Sequence, residues 1–90
     1  MNALSRTIEI TNKRGLHARA SAKFVNVASA LAARIEVEKD GNRVVGTSIM
    51  GLMMLGAAMG DSITIHCEGE GCEAAMAELA ELVEGRFGED

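Results

Sequence analysis

The stretch Gly15-Leu16-His17-Ala18-Arg19 places a histidine where a polar loop turns into a helix, with an arginine two residues on. Before it lies Thr11-Asn12-Lys13-Arg14-Gly15; after it Leu16, Ala20, Phe24, Val27 and Leu31 recur at the spacing of one helical face. His17 therefore stands at a helix N-terminus, where the first N–H groups lack intrahelical partners and the dipole attracts anions. A phosphate bonded to this ring would find donors waiting in the backbone N–H groups of Ala18 and Arg19, and a fixed positive charge in the Arg19 guanidinium. The same field disfavours an imidazolium, so the ring keeps a nitrogen lone pair and can act as a nucleophile. A histidine at this position can also be an inert, half-exposed helix-start residue. Ser, Thr, Asp and Asn are the preferred caps, however, so histidine followed by arginine is a poor choice for stability alone.

The elements that must position this histidine follow from periodicity. Leu4 to Thr11 alternates, with Ile8 and Ile10 on one face and Thr7, Glu9 and Thr11 on the other, which predicts a half-buried strand. A helix is expected from about His17 to Ala30, burying Ala20, Phe24, Val27 and Leu31 and turning Arg19, Lys23 and Asn26 outward. Arg34 to Lys39 alternates again, and Asp40-Gly41 is a hairpin signal leading into Arg43-Val44-Val45. Thr47 or Ser48 can cap a short helix, Ile49 to Leu55, which Gly56 ends. A fourth strand is expected from Ser62 to Cys67, with Ile63, Ile65 and Cys67 inward. The last helix starts near Gly71, with a stripe of Cys72, Ala75, Met76, Leu79, Leu82 and Val83, and Gly85 stops it. The tail from Arg86 to Asp90 is expected to fray. The order is β-α-β-β-α-β-α, an α+β chain whose alternating strands need one covered face, so the helices lie on one side of a four-stranded sheet. Strand order is not fixed by this pattern.

Two blocks of this chain resemble the HPr family, the phosphocarriers of the bacterial phosphoenolpyruvate-dependent phosphotransferase system. Gly15-Leu16-His17-Ala18-Arg19 is similar to the family's phosphohistidine motif, and Thr47-Ser48-Ile49-Met50-Gly51-Leu52-Met53 to its regulatory-serine segment. The likeness runs over nearly the whole chain. It departs at Ala20, where many members carry a proline that presets the helix start. The resemblance implies an open-faced β-sandwich with a mainly antiparallel sheet. It also implies that His17, through Nδ1, takes a phosphoryl group from enzyme I and passes it to an enzyme IIA-type acceptor. The chain itself would need no metal or cofactor, since phosphoenolpyruvate and magnesium act through enzyme I. It would be a carrier with a covalent phosphohistidine intermediate, not a stand-alone turnover enzyme, and is expected to be a cytoplasmic monomer.

By the same resemblance Ser48 is a site for an HPr kinase/phosphorylase. A phosphate there could be tolerated by the helix start while setting charge against whatever docks beside it. The helix after it is apolar all round, so part of it must stay exposed; Ile49, Met50 and Met53 are the expected docking residues. The alternative is that these methionines fill the core. For the whole protein, the alternative is a regulatory docking protein of the nitrogen-related branch, controlling kinases or transcription factors rather than sugar uptake.

Composition narrows the field. Ninety residues make one domain, 48% hydrophobic but only 2% aromatic, so the core is built of aliphatic residues and methionine. A net charge of −4 and a pI of about 5.1 argue against nucleic-acid binding. An RNA-binding domain of similar element order needs stacking aromatics on its sheet, whereas Phe24 falls on the first helix and Phe87 in the tail. The longest uncharged run, Val44 to Gly60, is broken by four glycines and too short for a membrane span. His66, Cys67 and Cys72 lack the spacing of a zinc set, and alternation sends His66 and Cys67 to opposite faces. Two reduced, packed thiols are expected, not a disulfide.

Overall fold

The computed structural model describes residues 3–89. Strand β1 (Ala3–Glu9) leads to helix α1 (Ala18–Ser29), the hairpin of β2 (Arg34–Lys39) and β3 (Asn42–Val45), helix α2 (Ile49–Met54), strand β4 (Ser62–Glu68) and helix α3 (Cys72–Glu84). A single 3-10 turn, Arg86–Gly88, follows. The four strands lie in the order β1-β4-β2-β3, all neighbours antiparallel. The helices cover one face of the sheet and leave the other open, the open-faced α+β sandwich expected.

Alternation decides which side chain goes where. On β4 Ile63, Ile65 and Cys67 turn into the core, while Thr64 and His66 face outward. Register places Ile8 opposite Ile63 and Val37 opposite Ile65, so the inward residues of the three longer strands form one apolar surface. Onto it pack Phe24 from α1, Leu52 from α2, and Leu79 and Val83 from α3, all fully buried. The open face is instead a polar grid: Thr7 to Thr64 at 2.9 Å, Ser5 Oγ to His66 Nδ1 at 2.8 Å, and His66 Nε2 to Glu38 at 2.7 Å. Beside them the Arg43 guanidinium, with Arg34 in support, holds the Glu36 carboxyl below its ordinary range. Asp40 (φ 51) and Gly41 (φ 83) form the two left-handed positions of the β2–β3 turn.

Two expectations need correction, one at the helix faces and one at the tail. Val27, Leu31 and Leu82 are only partly buried; Ser21, Ala28 and Ala80 occupy the interior instead, because small residues let α1 and α3 approach the sheet and each other closely. The uncharged stretch before Asp61 contains only a six-residue helix, and among the described residues no helix is long and apolar enough to cross a membrane. The tail does not fray over its described part. Arg86 (φ 58) and Phe87 (φ 55) both adopt left-handed backbone, a conformation costing about 1–3 kcal/mol per non-glycine residue. Burial of the Phe87 ring, 1% exposed, and a 2.7 Å bond from Lys23 Nζ to the Phe87 carbonyl hold the reversal in place. Asp90, the last residue of the expected frayed tail, lies outside the described residues.

Candidate functional site

The loop that delivers His17 is built by two residues. Gly15 has φ +63, and a Cβ placed on it would stand 2.1 Å from the Ala57 carbonyl oxygen. Only glycine allows the chain to lie this close, and the closeness lets Leu16 N–H donate to that same oxygen at 2.9 Å. Asn12, fully buried, closes the loop from within by donating from Nδ2 to the Gly15 carbonyl at 2.9 Å. The start of α1 is thereby pinned to the segment that follows α2.

His17 is the N-cap of α1, in extended backbone (φ −73, ψ 179), and its side chain makes no capping bond. Its carbonyl accepts the Ser21 N–H at 2.9 Å, while the Ala18 and Arg19 N–H groups stand in the first turn ahead of any intrahelical acceptor. The ring turns instead to the other end of the protein: Nε2 lies 2.5 Å from Oε2 of Glu89. The second oxygen of that carboxylate accepts from Asn12 Nδ2 at 3.1 Å. The His17 bond holds the Glu89 carboxyl below its ordinary range, with the Asn12 bond and the Lys23 charge adding to it. The imidazole keeps some exposure, 15% of its side chain. Arg19 is exposed and has no ion-pair partner among the described residues, so its guanidinium is available to an incoming anion.

Ser48 caps α2, its Oγ accepting from Gly51 N–H at 3.0 Å. Past it the exposed apolar side chains are Ile49 (41%), Met50 (73%), Met53 (44%) and Met54 (79%), with Leu52 alone fully buried. The methionines are surface, not core. Helix α2 packs against α1, and the chain just beyond α2 carries the carbonyl bonded to Leu16, so this patch adjoins the histidine loop. Lys13 and Arg14 are exposed on the same loop. Cys67 and Cys72 are both buried and reduced, with no disulfide between them; burial foremost, then the Cys72 side chain, pushes the Cys67 thiol up to about 12. His66 faces the open side of the sheet, away from Cys67.

Reading the sequence brought His17 and Arg19 to one helix start but missed Asn12 and Glu89. The Asn12-to-Gly15 spacing carries a signal, since asparagine opening a turn that ends in glycine commonly bonds back to the backbone. Glu89, 72 residues from His17, carries none.

The family model described as "PTS HPr component phosphorylation site" matches residues 4–85. The chain is 50% identical over 86 residues to a phosphocarrier protein HPr of Neisseria meningitidis, covering 96% of this chain and 97% of that one. It is 37% identical over 89 residues to a phosphocarrier protein NPr of Shewanella violacea, covering 99% and 98%. Among solved structures, HPr-C-His of Thermoanaerobacter tengcongensis superposes with a TM-score of 0.92 at 46% identity, covering 97% of this chain and 98% of that one.

Proposed function

The chain belongs to the HPr family of phosphotransferase-system phosphocarriers, and from that premise we propose that His17 accepts a phosphoryl group from enzyme I and passes it to an enzyme IIA-type acceptor. The observation that carries this reading is the state of His17 itself: a partly exposed helix-cap ring with no capping duty, beside first-turn N–H groups and an exposed Arg19 that has no ion-pair partner among the described residues. Phosphoryl transfer asks little covalent chemistry of the protein and much positioning. A ring nitrogen of His17 attacks phosphorus as the bond to a histidine nitrogen of enzyme I breaks, and that nitrogen keeps the electron pair. The N–H groups of Ala18 and Arg19 and the Arg19 guanidinium face the charge on the phosphoryl oxygens. Partial exposure suits a carrier, because over-stabilising the resting phosphohistidine would raise the barrier to handing it on.

Ile49, Met50 and Met53 form the docking face for the phosphotransferase partners. Phosphorylation of Ser48 by an HPr kinase/phosphorylase would set roughly two negative charges at the rim of that face. No metal or cofactor is assigned to the chain; phosphoenolpyruvate and magnesium serve enzyme I. Its place of action is the cytoplasm, as a monomeric single domain. Likeness to an NPr supports a second reading, a regulatory docking protein of the nitrogen-related branch.

The test is reconstitution. Enzyme I, magnesium, phosphoenolpyruvate and a sugar-specific enzyme IIA are mixed with and without this chain. Phosphorylation of the enzyme IIA only when the chain is present supports the sugar-uptake carrier; a chain that charges but discharges only to a nitrogen-branch acceptor supports the second reading.

A further inference from the structure

We propose that Glu89 is a positioning residue for phosphoryl transfer, which fixes the proton of His17 on Nε2 and leaves Nδ1 as the nucleophilic nitrogen. The inference rests on the carrier reading and adds to it the device that selects the reacting atom.

At neutral pH an ionised carboxylate can only accept hydrogen bonds, so at a separation of 2.5 Å the proton between Glu89 and His17 belongs to Nε2. In a neutral imidazole the other nitrogen then holds the lone pair. The carboxylate is itself held from several sides. Asn12 Nδ2 bonds its second oxygen, and the amide cannot be reversed, because Oδ1 would then face both the Gly15 carbonyl and Glu89. Lys23 clamps the backbone at Phe87, whose buried ring anchors two successive left-handed residues, and Gly88 (φ +74) completes the reversal. A strained turn, anchored by the buried ring of Phe87 and ending with its carboxylate on the imidazole, is built to aim that carboxylate.

The chemistry gives the contact its purpose. When Nδ1 bonds to phosphorus while Nε2 keeps its proton, both ring nitrogens are substituted and the ring gains positive charge. A carboxylate already in place on Nε2 meets that charge as it develops, without reorganisation, and holds the ring so that Nδ1 faces the incoming phosphorus. Every proton stays where it was, and the leaving histidine keeps its electron pair. Glu89 contacts the ring at Nε2, the nitrogen other than the one assigned to phosphorus, so it acts through His17.

The experiment reads the ring directly. Uniformly 15N-labelled wild type, Glu89→Ala and Glu89→Gln are compared at about pH 8.5, where an ordinary histidine is neutral, by two-bond proton–nitrogen correlation of the His17 imidazole, alongside the initial rate of charging by phosphorylated enzyme I. The expected result is a single Nε2–H tautomer in the wild type. In Glu89→Ala the two nitrogen shifts should converge as both tautomers populate, with charging slower by about tenfold, within the roughly hundredfold penalty of a misplaced reacting group. Glu89→Gln keeps an oxygen at the same reach and should recover part of both. Glu89→Ala with wild-type ring shifts overturns the tautomer assignment, and moved shifts with an unchanged rate overturn the positioning role. A wild type that takes no phosphoryl group counts against the carrier reading alone, because the ring shifts still decide the Glu89 contact.

Discussion

Oε2 of Glu89 lies 2.5 Å from Nε2 of His17 across 72 residues of chain, and the same carboxylate bonds the buried Asn12. The contact joins the last described residue to the loop that opens α1. It makes the site a product of the whole fold and not of its motif alone.

This contact should make stability depend on pH. A carboxyl whose folded pKa lies below its unfolded value of about 4.3 stabilises the protein above that value, and the contribution is lost as pH falls through the folded pKa. The melting temperature of the wild type should therefore exceed that of Glu89→Gln at neutral pH, and the gap should close on acidification below about pH 4. A gap that stays constant through that range would mean that Glu89 is not ionised against His17.

Much of the fold was legible because aliphatic alternation and a helical stripe leave few ways to bury a core with so few aromatics. The hairpin at Asp40-Gly41 and the cap at Ser48 could be read residue by residue, since each needs only its neighbours. Strand order could not, because placing β4 between β1 and β2 depends on contacts far apart in sequence. The tail misled for the same reason. Arg86 and Phe87 hold backbone that their own preferences oppose, and only the interior that receives Phe87 overrides them. Glu89 belongs to this second group, as does its bond from Asn12, whereas the Asn12 bond to Gly15 needs only its neighbours.

Gly15→Ala should disturb the site through the backbone. The new Cβ would meet the Ala57 carbonyl at 2.1 Å with φ at +63, so strain and displacement together should cost at least about 2 kcal/mol, or a melting temperature lower by roughly 10 °C. Charging should fall as well, since Leu16 and His17 move with the loop. Unchanged melting would show that the α2–β4 connection yields easily and does not pin His17.

Met50→Glu tests the docking face. With 73% of Met50 exposed, the substitution should change stability by no more than about 0.5 kcal/mol. Affinity for enzyme I, read by calorimetry, should fall by about tenfold or more, because an apolar contact is replaced by a charge that must be desolvated. Wild-type affinity would place the interface elsewhere.

Cys67 should be chemically silent in the native protein. Burial raises its thiol to about 12, so almost no thiolate exists at neutral pH and the sulfur is shielded as well. Iodoacetamide should leave the folded chain unmodified over hours and add two groups once it is unfolded in denaturant, both read by mass. Rapid labelling of Cys67 in the folded state would mean that β4 and α3 separate far more readily than their packing implies.

The central claim, that His17 carries the phosphoryl group, is tested most directly by intact mass. The purified chain is mixed with enzyme I, magnesium and phosphoenolpyruvate, with His17→Ala in parallel and an established carrier as control for the enzyme. The account predicts one added phosphoryl group that acid removes, and none on His17→Ala, whose circular dichroism matches the wild type. A wild type that stays unmodified while the control is charged, or a His17→Ala chain that gains the group, would contradict it.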